Sequence, residues 1–169
     1  MDIRLALPTD APALAELGAR LFRETYAGQI PLAEVESYVT MAFQPEAQRA
    51  ELLCPGGGIM IAQEAGVLAA YAQLRPAPCP CPGPAADPIE IARFYLDSPW
   101  HGTGLAAELM GTCGAWAKAQ RRTALWLQVW EENPRAIRFY EKQGFQDLGT
   151  TTFQVGTILY RDRVLGRIL

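Results

Sequence analysis

The sequence predicts an α/β domain built on a mixed β-sheet, and three observations predict it. Stretches of period-two apolar alternation are interleaved with stretches of helical spacing along the whole chain. Two glycines, Gly102 and Gly104, stand between a β-rich run and the helical run that follows it. The run Ala124–Trp130 is apolar on both faces except at Gln128, as a central strand covered on both sides should be. A length of 169 residues, half of them hydrophobic, fits one domain over residues 1–169 with a real core.

Taken in order, Ile3-Arg4-Leu5-Ala6-Leu7 alternates as a half-buried first strand, and Pro8 ends it. Thr9 is placed to cap a helix with Asp10 and Pro12 in its first turn and Leu14, Leu17 and Leu21 at helical spacing, up to about Tyr26. Pro31 opens a second helix whose apolar side is Val35, Tyr38, Val39 and Phe43. After the loop Pro55-Gly56-Gly57-Gly58, the runs Ile59–Ala62 and Val67–Tyr71 flank Gln63–Gly66 as a hairpin. Arg75 to Pro88 is dense in proline, has no periodicity and reads as an exposed loop inside the domain.

Ile89 to Leu96 is the next strand, rich in Ile, Phe and Tyr. Leu105 to about Gln120 forms a helix with Leu105, Leu109, Cys113 and Trp116 on one side. The strand Ala124–Trp130 follows, and then a short helix begins at Asn133-Pro134 and stops before Gly144. Phe145–Leu148 and Thr152 to about Tyr160 close the sheet. The expected order is β-α-α-β-β-β-α-β-α-β-β.

Composition excludes several functions. The net charge is −3 with acids and bases intermixed, so no basic face marks a nucleic-acid binder. No apolar run approaches the roughly 18 residues of a membrane span. Met1-Asp2-Ile3-Arg4 opens no signal-peptide pattern, and the expected compartment is the cytoplasm. Four cysteines, at 54, 79, 81 and 113, and a single histidine do not make the spaced pairs of a zinc site. Free thiols and no metal are the expectation.

The segment carrying the chemistry follows the strand Ile89–Leu96. It reads Asp97-Ser98-Pro99-Trp100-His101-Gly102-Thr103-Gly104-Leu105-Ala106 and runs into a helix. Glycines let the backbone approach a ligand closely, and the unpaired N–H groups and dipole of a helix start favour a phosphate or pyrophosphate there. A glycine turn that only packs strand on helix is the competing reading. Gly102 to Ala107 also satisfies G-x-G-x-x-A, the dinucleotide fingerprint of nicotinamide enzymes. Asp97 to His101 intervene between strand and first glycine, however, and several strands precede it, so that fit is poor.

His101-Gly102-Thr103-Gly104-Leu105-Ala106 resembles the pyrophosphate loop of the GNAT superfamily of acetyltransferases, Arg/Gln-x-x-Gly-x-Gly/Ala, departing from it at His101. Asn133-Pro134-Arg135-Ala136-Ile137-Arg138-Phe139-Tyr140-Glu141-Lys142-Gln143-Gly144-Phe145 is similar to that family's N-x-x-A-x-x-F-Y-x-x-x-G-F. The resemblance covers nearly the whole chain. Phe22–Tyr26, the helix after Pro31 and Phe153–Gly156 are similar to the polyamine and small-amine branch.

The resemblance implies a GNAT-like mixed sheet, splayed at its centre between Ile89–Leu96 and Ala124–Trp130 and flanked by helices. It implies acetyl-CoA as cosubstrate, with no metal, and an N-acetyltransferase acting on a primary amine by direct attack in a ternary complex. The cofactor arm would pair with backbone at Phe94, Tyr95 and Leu96. The pyrophosphate would sit on His101, Gly102, Thr103, Gly104, Leu105 and Ala106, with Asn133 on the arm. Arg135, Arg138 and Lys142 either meet the outer phosphate or form a solvated face. Tyr140 matches the family's general acid, or else is core packing beside Phe139. Glu90 is the candidate base, or an ion-paired glutamate. His101, the sole histidine, is a phosphate contact or a surface residue. Tyr26 and Glu24 line the amine pocket, or serve helix surface and core. The acceptor is a small molecule or a protein amine, and homodimers occur in the family. A non-catalytic acyl-CoA-binding sensor is the alternative, with a nicotinamide-dinucleotide enzyme behind it.

Overall fold

The structure, a computed structural model, describes residues 1–83 and 86–169. Seven strands form one sheet in the order β1-β2-β3-β4-β5-β7-β6. Their ranges are β1 Asp2–Leu5, β2 Gly58–Glu64, β3 Val67–Arg75, β4 Pro88–Leu96, β5 Ala124–Trp130, β6 Gln146–Val155 and β7 Ile158–Ile168. The helices are α1 Ala11–Tyr26, α2 Leu32–Ala42, α3 Pro45–Leu52, α4 Leu105–Ala119 and α5 Pro134–Lys142. All pairs are antiparallel except β4 with β5, which are parallel.

The mixed α/β sheet expected from the sequence is present. Helix α1 buries Ala11, Leu14, Leu17, Leu21 and Phe22 at the expected spacing. A 3₁₀ turn at Pro8–Asp10 precedes it, where Asp10 accepts from the Leu7 N–H and pairs with Arg4 at 2.8 Å. Helix α3 adds an element that the sequence pattern did not announce. Gln48 is its only buried residue, so it carries no apolar stripe to read. Gln48 is held instead by donating to the Ala42 carbonyl at 2.9 Å.

The last two strands differ most from expectation. A strand from Thr152 to Tyr160 would run through a hairpin turn at Gly156-Thr157, where Gly156 adopts φ +57° and Val155 pairs with Ile158. A two-residue turn of this kind needs a positive φ, which glycine supplies at little cost. β7 then continues to Ile168 and pairs along all of β5. At the other hairpin, β3 extends to Arg75, so the proline-rich connection is shorter than expected and includes Pro84 and Ala85, outside the described residues.

Helices α4 and α5 pack on one face around Leu105, Leu109, Met110, Ile137 and Tyr140. Leu14, Leu17 and Leu21 of α1 meet Ile59, Ile61 and Tyr71 on the other face. Phe22 joins α2 and Val155 in a third cluster. β4 and β5 pair only over Pro88–Glu90 with Ala124–Trp126 and then part. Opposite β3, Gln73 faces Arg93 while Leu74 faces Ile91, which leaves Ala92 as an extra residue in β4. Such a bulge bends its strand, and it lies where β4 leaves β5.

Candidate active site

From Ile91 to Leu96, β4 is paired to β3 on one edge and has no strand on the other. Peptide groups along that edge must find partners in a ligand or solvent. The opening continues into a cleft of about 470 Å³ lined by Phe94, Leu96, His101, Gly102, Ala106, Asn133, Arg135, Phe139 and Tyr140. At its outer end lies the glycine turn. Gly102 and Gly104 have φ +79° and +93°, and a Cβ at either would meet nothing within 4 Å. Open space there means packing does not require the glycines; their positive φ does, and the space beside them is free. The N–H groups of Gly102, Gly104 and Ala106 have no hydrogen-bond partner among the described residues. They stand at the positive end of α4, the arrangement that attracts an anion.

Tyr140 divides this cleft from a second one of about 250 Å³ and lines both. Its ring is buried against Phe94, Phe139 and Phe145, with centroids 6.2, 5.3 and 5.7 Å away. Burial pushes the phenol well above its ordinary pKa, so it keeps its proton through neutral pH. Asn133 lines both spaces too, and its Oδ1 accepts the Ala136 N–H at 3.1 Å to cap α5.

The second cleft is walled by Phe22, Tyr26, Tyr38, Tyr95, Trp130 and Phe153, with Glu90, Gln128 and Asp162 among its polar residues. Glu90 spends both oxygens on Arg75, at 2.5 and 3.3 Å. Asp162 is 6% exposed, and its Oδ1 has no partner among the described residues. Desolvation, with Glu131 adding repulsion, raises its pKa from 3.8 to about 6.

Comparison with known proteins bears on this geometry. Residues 22–145, most of the chain, match the Acetyltransferase (GNAT) family. The chain belongs to the GNAT acetyltransferase family. A protein named uncharacterized N-acetyltransferase in Mycobacterium tuberculosis is 36% identical over 162 residues, spanning 95% of this chain and 99% of that protein. Among solved structures, PaiA N-acetyltransferase from Thermoplasma acidophilum, in complex with coenzyme A, has the same fold with a TM-score of 0.78 and 18% identity, and all of both chains is covered. YncA from Salmonella typhimurium, solved with its cofactor acetyl-CoA, superposes with a TM-score of 0.69 and 18% identity over 100% of this chain and 94% of that one. The enzyme class expected from the sequence, a GNAT N-acetyltransferase, follows from this membership.

Most residues expected from the GNAT motifs meet in the first cleft: Phe94, Tyr95, Leu96, His101, Gly102, Ala106, Asn133, Arg135 and Tyr140 line it. Leu105 is instead buried in the core beneath the turn. Thr103 Oγ1 donates to the Trp100 carbonyl and accepts from Leu105 N, so it shapes the turn. His101 Nε2 lies 3.1 Å from the Leu96 carbonyl and ties the turn to the end of β4. Arg135, Arg138 and Lys142 are exposed on α5.

The two acceptor candidates part company. Tyr26 lines the aromatic cleft, whereas Glu24 lines the first cleft and pairs with Arg20 at 3.2 Å. Glu90 is in the aromatic cleft but ion-paired. Sequence reasoning missed Asp162, Tyr38 and Phe153 as cleft residues. Ending β7 at Tyr160 hid Asp162; with the strand continued, Tyr160, Asp162 and Val164 fall on one face. An acid at an inward strand position was the available signal. Among the described residues no group of three or more His, Cys, Asp or Glu could hold a metal ion, and all four cysteines are free.

Proposed function

We propose that the protein transfers an acetyl group from acetyl-CoA to a primary amine by direct attack in a ternary complex, with Tyr140 as general acid. The single observation carrying this reading is the placement of Tyr140 between the two clefts, one ending at the free N–H groups of the glycine turn and the other walled by aromatic rings. The residues present fit acetyl-CoA. The free edge of β4 at Phe94–Leu96 suits the amides of its arm, and the N–H groups of Gly102, Gly104 and Ala106 suit its pyrophosphate. Arg135, which lines the first cleft, suits a further phosphate, and Asn133 flanks the arm, while Arg138 and Lys142 are exposed cations on the same helix. Bound there, acetyl-CoA supplies an acetyl group activated as a thioester.

This chain's residues would then orient and move protons. The acceptor reaches the cleft mostly as an ammonium ion and must lose a proton to expose its lone pair. That lone pair forms the C–N bond, the C–S bond breaks, and Tyr140 gives its phenolic proton to the departing sulfur. The surplus amide proton restores the phenol. A carboxylate of the aromatic cleft takes the first proton; Glu90 is one, acting through water, and Asp162 is the other. Alignment of amine and thioester supplies much of the acceleration.

In this reading the acceptor is a small-molecule or protein amine, of the kind served by the polyamine and small-amine branch. Tyr26 contacts it, Glu24 borders the entrance from the first cleft, and the protein works in the cytoplasm, alone or as a homodimer. Thiol release from acetyl-CoA across a panel of amines is the test. Amine-dependent release that falls by about 100-fold in Tyr140→Phe agrees with the reading. Tight acetyl-CoA binding without release for any amine, small or protein-borne, would turn it toward a non-catalytic sensor.

A further inference from the structure

Every charge lining the aromatic cleft is compensated except one. Arg75 is paired with Glu90, and Arg93 with Glu51 at 2.5 Å while its guanidinium lies 4.8 Å over the Phe43 ring. Asp162 makes no ion pair and no side-chain hydrogen bond among the described residues, although it is 94% removed from solvent by its 6% exposure. A buried carboxylate without a partner costs stability, and in a cleft its open side is free to take a ligand's donor. Its neighbours on β7 are already committed: Arg161 pairs with Glu131 at 3.5 Å, and Arg163 pairs with Asp147.

The walls around it suit a cation. Tyr26 meets Trp130 at 5.7 Å and Phe22 at 4.6 Å, Phe22 stacks on Tyr38 at 4.4 Å, and Tyr38 meets Phe153 at 5.6 Å. Ring faces attract ammonium ions, and such a wall also accepts the methylene chain behind one.

We propose that Asp162 receives the acceptor as an alkylammonium ion and, in preference to Glu90, takes its proton before the attack. This rests on the acetyl-transfer reading. The step balances: one N–H bond breaks, the proton joins Asp162 and neutralises it, and the freed lone pair forms the C–N bond while Tyr140 protonates the sulfur. Asp162 then loses its proton to solvent as product leaves. Glu90 has both oxygens engaged by the Arg75 guanidinium, so neither is turned toward an incoming ammonium. Around Asp162 stand the Tyr26 phenol from α1 and the Glu131 carboxylate, with Trp130 of β5 as a register partner and Tyr160 two residues before it on the same face of β7. Thr151 is its register partner on β6. None of these is cationic. The raised pKa of about 6 agrees with a base near its working pH.

The test compares n-butylamine with O-propylhydroxylamine, a chain of the same length whose amine is uncharged at neutral pH. Asp162→Asn should lower kcat/KM for n-butylamine by about 100-fold and for O-propylhydroxylamine by less than about threefold. The acid limb of the kcat/KM profile, with an apparent pKa near 6, should vanish in Asp162→Asn and persist in Glu90→Gln. Equal losses for the two amines, or an acid limb that moves with Glu90→Gln, would overturn the proposal. Calorimetric titration of n-butylamine into the protein decides the recognition independently of turnover. Binding that disappears in Asp162→Asn supports it, and equal binding by both proteins sinks it. Should the natural protein release no thiol with any amine, the acetyl-transfer reading fails, while this titration still decides what Asp162 binds.

Discussion

On one side of Tyr140 the cleft runs to the glycine turn, where His101, Gly102 and Ala106 line it and the N–H groups of Gly102, Gly104 and Ala106 have no partner among the described residues. On the other side it is walled by side chains from α1, α2, β4, β5, β6 and β7, drawn from positions as far apart as Phe22 and Asp162. A ligand held by peptide N–H groups needs glycines at fixed neighbouring positions, and such a demand is written locally. A ligand held by side chains needs only that the fold bring suitable residues together. The first kind of site depends on a few adjacent residues. The second can be rebuilt one residue at a time.

Tyr140 belongs to both sides, so its loss should have the largest effect and should not discriminate between them. Tyr140→Phe is expected to lower kcat by about 100-fold for every amine accepted, while CoA affinity measured by calorimetry stays unchanged. A large loss of CoA affinity would make the tyrosine a packing residue of the first cleft.

Asp162 should separate the two sides, because activity and stability move in opposite directions there. Its pKa is raised on folding, from 3.8 to about 6, so the native state holds a proton that the unfolded chain has released. Its contribution to stability is therefore greatest at low pH, falls as pH rises from about 4 to about 6, and stays reduced above that. Asp162→Asn removes the unpaired buried charge and should stabilise the protein at pH 8 by about 1–3 kcal/mol, or roughly 3 °C in Tm per kcal/mol. At pH 4 the two proteins should melt nearly together. Thermal melts at both pH values check this; a lower Tm for the variant at pH 8 would mean that the carboxylate has a partner after all.

A smaller effect should come from the joint that positions the aromatic wall. The Glu34 carboxylate of α2 accepts from the Thr157 N–H at 2.9 Å and its hydroxyl at 2.7 Å, tying the β6–β7 turn to the helix that carries Tyr38. A Cβ at Gly156 would collide with the Glu34 carboxylate, which would have to swing away from Thr157. Glu34→Ala should raise the KM for the amine a few-fold and leave the Kd for CoA unchanged. An equal change in both would show that the two sides are one mechanical unit.

The same contrast explains what was legible in the sequence. The β4–turn–α4 unit and the α5 motif are each contiguous, so glycines, a capping Asn133 and a strand–helix change of period disclosed both the fold there and the glycine turn. Helix α3 carries one buried residue and therefore no stripe, and only Pro45 at its start hinted at it. β6 and β7 were misjudged because Thr150-Thr151-Thr152-Phe153-Gln154 carries no apolar alternation to mark its start, and the turn rests on Gly156 alone. That misjudged boundary also concealed Asp162. Its burial depends on β7 pairing with Trp130 of β5, a register that no local pattern encodes. Glu90 was seen as an acid near the site, but its bond to Arg75 depends on the β3–β4 register.

The central claim, that the parted strands β4 and β5 and the glycine turn form a coenzyme A site, is tested most directly by calorimetric titration of CoA and of NADP. The natural protein and Gly104→Val would be compared. Gly104 adopts φ +93° in open space, so valine strains the turn by about 1–3 kcal/mol without filling the cleft. The account predicts that the natural protein binds CoA and not NADP, and that Gly104→Val weakens CoA by about 10-fold or more while circular dichroism stays native. CoA binding of equal strength in both proteins, or a preference for NADP, would contradict it.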